Sequence, residues 1–97
     1  MEYHDKVYYA HTILGITIEE LNVRRVENIT YNLSRITVAW NRSDEFMQRG
    51  RTEWIKQFYH SPDRALTEAI DYLIQQPDQY PPTVGQIMSV VKQRVKT

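Results

Sequence analysis

Residues 29–40, Ile29-Thr30-Tyr31-Asn32-Leu33-Ser34-Arg35-Ile36-Thr37-Val38-Ala39-Trp40, decide what kind of fold this chain has. They carry two periods. Ile29, Tyr31 and Leu33, then Ile36, Val38 and Trp40, alternate as a half-buried strand would, and their β-branched residues favour strands. Val26, Ile29, Leu33, Ile36 and Trp40 instead recur at helical spacing. The helical period is unbroken, whereas the alternation slips register between Leu33 and Ile36. No Gly or Asn-Gly stands at the slip to turn a hairpin. The helix reading is therefore preferred, and with it an all-α fold; a strand pair over 29–40 is the alternative these residues leave open.

Downstream, Asn41-Arg42-Ser43-Asp44 reads as a loop and a cap, in which Ser43 or Asp44 accepts the first free amides of another helix. Phe46, Trp54, Ile55 and Phe58 form its apolar face, and Gly50 interrupts it as a kink or a late start. Ser61-Pro62-Asp63 is a start signal: a serine cap, proline at the first helical position and an acid in the first turn. Ala65, Leu66, Ala69, Ile70, Leu73 and Ile74 make the apolar stripe of that helix, and Pro77 ends it.

Tyr80-Pro81-Pro82-Thr83-Val84-Gly85-Gln86-Ile87 is the sharpest punctuation in the chain. Neither proline donates a backbone hydrogen bond, and each pushes the residue before it out of helical geometry. Thr83 and Gln86 complete a T-x-x-Q capping box. A last helix should therefore start at Val84, folded back on its predecessor, with Ile87, Met88, Val91 and Val95 inward. Lys92, Arg94 and Lys96 fall in its final turns, where cations suit the macrodipole.

Upstream, Tyr3, Val7, Ala10 and Leu14 form one helical stripe, and Gly15 suits a left-handed C′ position. Thr17 and Glu20 make a second capping box, which starts the next helix at about Ile18. The sum is five helices with short links: one irregular antiparallel helical bundle, a single domain over residues 1–97.

Twelve basic and twelve acidic side chains leave no net charge. Residues 1–45 hold five basic and seven acidic groups, and residues 46–97 hold seven and five, a polarisation too slight to make a nucleic-acid-coating face. The chain has no cysteine, hence no disulfide and no thiolate metal site. No apolar run approaches the roughly 20 residues that span a bilayer, and Met1-Glu2-Tyr3-His4-Asp5 does not open a secretory signal. A cytoplasmic protein is expected.

No catalytic constellation emerges. His4, His11 and His60 show no metal-ligand spacing, and no H-E-x-x-H or Gly-rich phosphate loop occurs. Glu19 and Glu20 are adjacent, so they diverge on a helix and suit a first turn. No enzyme, cofactor or metal is expected. Leu14-Gly15-Ile16 between two helices resembles a helix-turn-helix, with Arg24 and Arg25 on the second helix. Glu19 and Glu20 would then face the phosphates. A small DNA-binding regulator is thus an alternative, and nucleic acid is not expected as the main partner.

Seven tyrosines accompany two tryptophans and two phenylalanines, too many for narrow stripes to hide. Trp40, Trp54 and Phe58 are expected in the core. Exposed Tyr with Arg is the composition of protein-interaction surfaces. Five residues are the candidate partner-binding set. Tyr80 and Pro82 lie on the rigid hinge, Tyr59 closes the Trp54 helix, and Arg49 and Arg51 flank Gly50.

Trp54-Ile55-x-x-Phe58, an apolar helix, and then Tyr80-Pro81-Pro82-Thr83-x-Gly85-Gln86-Ile87 resemble the middle region of the lambda-type phage replication protein P family, over about residues 29–95. Thr83 stands where that family has proline, and Ile87 where it has an aromatic. The resemblance implies a helical domain of phage or mobile-element type that binds a host replication protein. The replicative helicase is the partner it suggests, for loader-like recruitment or for inhibition. A non-enzymatic adaptor or inhibitor of another host complex is the further alternative. Partner identity and oligomeric state are open at this level.

Overall fold

The computed structural model describes residues 1–95, and Lys96, expected in the last helical turn, lies outside the described residues. Residues 29–40 lie in a helix up to Ala39. Helix α2, Val23–Ala39, buries Val26, Ile29, Leu33 and Ile36 along one line, each no more than 1% exposed. Its β-branched residues cost up to roughly 0.7 kcal/mol each against alanine. Burying each large aliphatic side chain returns about 1.5–3 kcal/mol, so tertiary burial outweighs local preference. No strand occurs among the described residues.

Around α2 the other helices arrange as a small all-α bundle. Helix α3, Asp44–Phe58, and helix α4, Asp63–Gln75, both pack on α2, while helix α5, Val84–Val95, packs on α4 and touches α3. The shortest principal extent, 18 Å, holds two helix layers and not three. Ile55, Phe58, Leu66, Ile70, Ile87 and Val91 meet the α2 line in one core. Trp54, 6% exposed, meets Phe58 edge to face with ring centres 5.2 Å apart. Trp40 is only partly buried, at the margin of this core.

A polar seam fixes α2 against α4. Asn32 is fully buried, and its Nδ2 donates to the Asn28 carbonyl at 3.0 Å and to Thr67 Oγ1 at 3.3 Å. Arg35 donates to Asn32 Oδ1 and pairs with Asp71. Every member is satisfied, so the seam sets the register without leaving a buried orphan.

Several boundaries depart from expectation. The N-terminal segment is α-helical only over Tyr3–Val7 (α1) and π-helical over Tyr8–Leu14, ending at Gly15 with φ 66°. The wider i→i+5 turn changes which residues share a face. Ala10 is buried with Tyr9, Ile13 and Leu14 beside it, whereas Tyr3 is 71% exposed. The Thr17–Glu20 box forms, but it closes a single turn, and α2 begins at Val23 behind the cap Asn22. Ser61 does not cap α4. Pro62 takes the cap position with ψ 139°, so the proline stands just outside the first turn. Val95 points outward, 50% exposed, because α5 has passed the edge of the core. Gly50 neither kinks nor delays α3; it lies inside a continuous helix beside Leu33 and Trp54.

Candidate functional site

The segment between α4 and α5 is restricted by three prolines and held at both ends by hydrogen bonds, and it carries the most exposed aromatic of the candidate set. Pro77, Pro81 and Pro82 deny it helix geometry. Thr83 accepts from the Gln86 amide at 3.2 Å while Gln86 Oε1 accepts from the Thr83 amide at 2.8 Å, so the predicted capping box is present. From the other side, Trp40 Nε1 donates to the Asp78 carbonyl at 2.9 Å, which moors the segment to the end of α2. Tyr80 stands between these two anchors, 67% exposed.

Two hollows flank it. One is walled by Arg42, Ser43, Phe46, Arg49, Tyr80 and Pro81. The other is walled by Trp40, Leu73, Pro82 and Val90, with Tyr80 again on its rim. Of the candidate set, Tyr80 is thereby brought beside Arg49 in the first hollow and beside Pro82 in the second.

Arg51 lines neither hollow. At about 100° per residue, two positions along α3 turn a side chain to the opposite flank. Arg51 instead lines a cleft with Asp5, Tyr9, Glu27 and Met47, where its Nε is buried without a hydrogen-bond partner. Tyr59 is corrected as well: the expected surface anchor is 6% exposed. Its hydroxyl accepts from the Asn22 amide at 2.8 Å, and its carbonyl accepts from Arg25 Nη1 at 3.1 Å. It ties the end of α3 to the start of α2.

Sequence reasoning did not single out Arg42 or Phe46 as partner-binding residues. Their placement comes from the end of α2, where Asn41 adopts φ 53°. The Asn41 amide donates to the Val38 carbonyl at 3.1 Å and the Arg42 amide to the Thr37 carbonyl at 2.8 Å, a Schellman closure. Ser43 then caps α3, accepting from Phe46 N at 3.4 Å. The available signal was Asn directly after an apolar stripe, since Asn tolerates the left-handed C′ conformation. Trp40 was assigned to the core, whereas it contributes to the wall of the second hollow.

The remaining chemistry is sparse. Among the described residues, no three His, Asp or Glu side chains gather as metal ligands. No helix among them is long and apolar enough to cross a membrane. The helix-turn-helix reading loses its geometry, because residues 15–22 separate the two helical segments where that motif uses a turn of about 3–4 residues. Arg25 is engaged with Tyr59 and with Asp63, 3.5 Å from its Nε. No protein-family model matches the chain, and no characterised protein or solved structure is significantly similar to it.

Proposed function

We propose that this protein is a non-enzymatic binding module of a phage or mobile element that acts in the cytoplasm on a host replication protein, the replicative helicase first. The observation that carries the binding reading is Tyr80, held out on a proline-stiffened, doubly anchored hinge between two hollows. An aromatic already ordered before binding loses little entropy on contact, which is the property of an interface anchor. The helicase comes from the resemblance to the replication protein P family. Of the residues that carry that resemblance, Trp54 packs on Phe58, and Thr83 and Gln86 form the box that opens α5.

The test is to mix the purified protein with a bacterial replicative helicase and measure the mass of the product by size-exclusion chromatography with light scattering. A complex is expected. Tyr80→Ala should weaken it by about 2 kcal/mol or more, the usual cost of truncating a central anchor. Arg51→Ala, on the opposite flank, should leave it unchanged. Absence of a complex would sink the helicase reading and direct attention to an adaptor role with another host complex.

A further inference from the structure

We infer that the hinge face recognises an acidic, extended segment of its protein partner, with a carboxylate seated between Arg42 and Arg49 and apolar side chains on either side of Tyr80. The inference rests on the binding role proposed above and names the chemistry of the occupant. Its basis is the composition of the first hollow. Arg42 and Arg49 line it and no acidic residue does. Both arginines are exposed, and among the described residues neither pairs with an acid. Arg49 makes one weak bond, from Nε to the Glu45 carbonyl at 3.4 Å, which leaves its outer fork available. A planar guanidinium fork matches a carboxylate bidentately.

The floor is as informative as the rim. Phe46 and Arg49 are three apart on α3 and so share a face. Pro81 and Tyr80 close the opposite wall. Across Tyr80, the second hollow measures ≈ 340 Å³; Trp40, Leu73, Pro82 and Val90 give it an apolar wall for a side chain of the same segment, and Gln76, Asp78, Gln86 and Ser89 make the rest of its lining polar. Arg and aromatic side chains around a concave centre are the composition of an interface hot spot. A nucleic-acid strand fits this face poorly. It needs a track of cations for successive phosphates, and here two arginines line one hollow in a chain of no net charge.

The experiment is an amide-resolved NMR titration of the full chain with three probes: a short peptide alternating Glu and Leu, the same peptide with Gln for Glu, and oligo-dT. The Glu peptide should shift the amides of Arg42, Phe46, Arg49 and Tyr80 and bind about tenfold tighter than the Gln peptide. R42Q/R49Q should erase that preference without changing the melting temperature, and Tyr80→Ala should weaken both peptides alike. Equal affinity for the two peptides, shifts confined to other faces, or tighter binding of oligo-dT would overturn the inference. The helicase mixture separates the two proposals. If the complex forms and R42Q/R49Q binds as the wild type does, the acidic segment is wrong and the helicase role stands. If the Glu preference is seen and no helicase complex forms, the site stands and the helicase is the wrong partner.

Discussion

Two regions of this molecule carry the same local device and come to different ends. At Thr17–Glu20 the backbone and side-chain bonds of a capping box run at 3.2 Å in both directions. At Thr83–Gln86 the corresponding bonds are 2.8 and 3.2 Å. The second box opens α5, which continues to Val95; the first closes one turn and stops. The difference lies in the residues downstream of each box. After Thr83, Ile87 and Val91 are almost wholly buried, so each added turn gains apolar contact with the core. After Thr17, Leu21 is buried, but the next amide, Asn22, donates to the Tyr59 hydroxyl at 2.8 Å instead of to Ile18. A cap satisfies orphan donors and contributes about 1 kcal/mol. Propagation depends on burial, because isolated short helices are marginal in water.

The largest expected effect strikes the core on which the bundle is built. Trp54→Ala empties an aromatic site that is 6% exposed and packed on Phe58, and should destabilise by roughly 3–5 kcal/mol in urea denaturation. A melting temperature near that of the wild type would mean that Trp54 is not core.

Next comes the bond on which the comparison turns. Tyr59→Phe keeps the ring and deletes the acceptor of the Asn22 amide, at a cost of about 1–3 kcal/mol if that amide is left unpaired. Faster amide exchange at Asn22 should accompany the loss. Unchanged stability together with higher helicity would show instead that α2 simply extends back to Ile18, and the comparison would fail.

Thr83→Ala should cost about 1 kcal/mol, which lowers the melting temperature of a domain of this size by about 4–8 °C. Thr17→Ala should cost less, about a few tenths of a kcal/mol, since the exposed turn it closes supports no helix of its own. Equal shifts for the two threonines would place the Thr17 turn on the same footing as α5.

Most of the fold was legible because most of its signals are local. The α2 period, the α3 cap and the Thr83–Gln86 box need only neighbours within a few residues: the period holds through Ile36, Ser43 of the two proposed residues is the cap, and the box forms as expected. The candidate site was legible in part. Tyr80 meets Arg49 at one hollow and Pro82 at another, whereas Tyr59 is buried and Arg51 lines a separate cleft. Arg42 escaped notice because a loop residue acquires a direction only from the closure of the helix before it.

By itself, then, the sequence determined which segments are helical and how most of them are capped, because donors and acceptors three or four positions apart meet whatever the rest of the chain does. Tertiary structure decided that α2 does not extend back to Ile18, since the Asn22 amide has a local and a distant acceptor and the buried Tyr59 hydroxyl takes it, leaving the Asn22 side chain to cap α2 through the Arg25 amide. It also decided which arginines stand beside Tyr80, because the rotation of α3 is set by the contact of Trp54, Ile55 and Phe58 with the core and not by the arginines themselves.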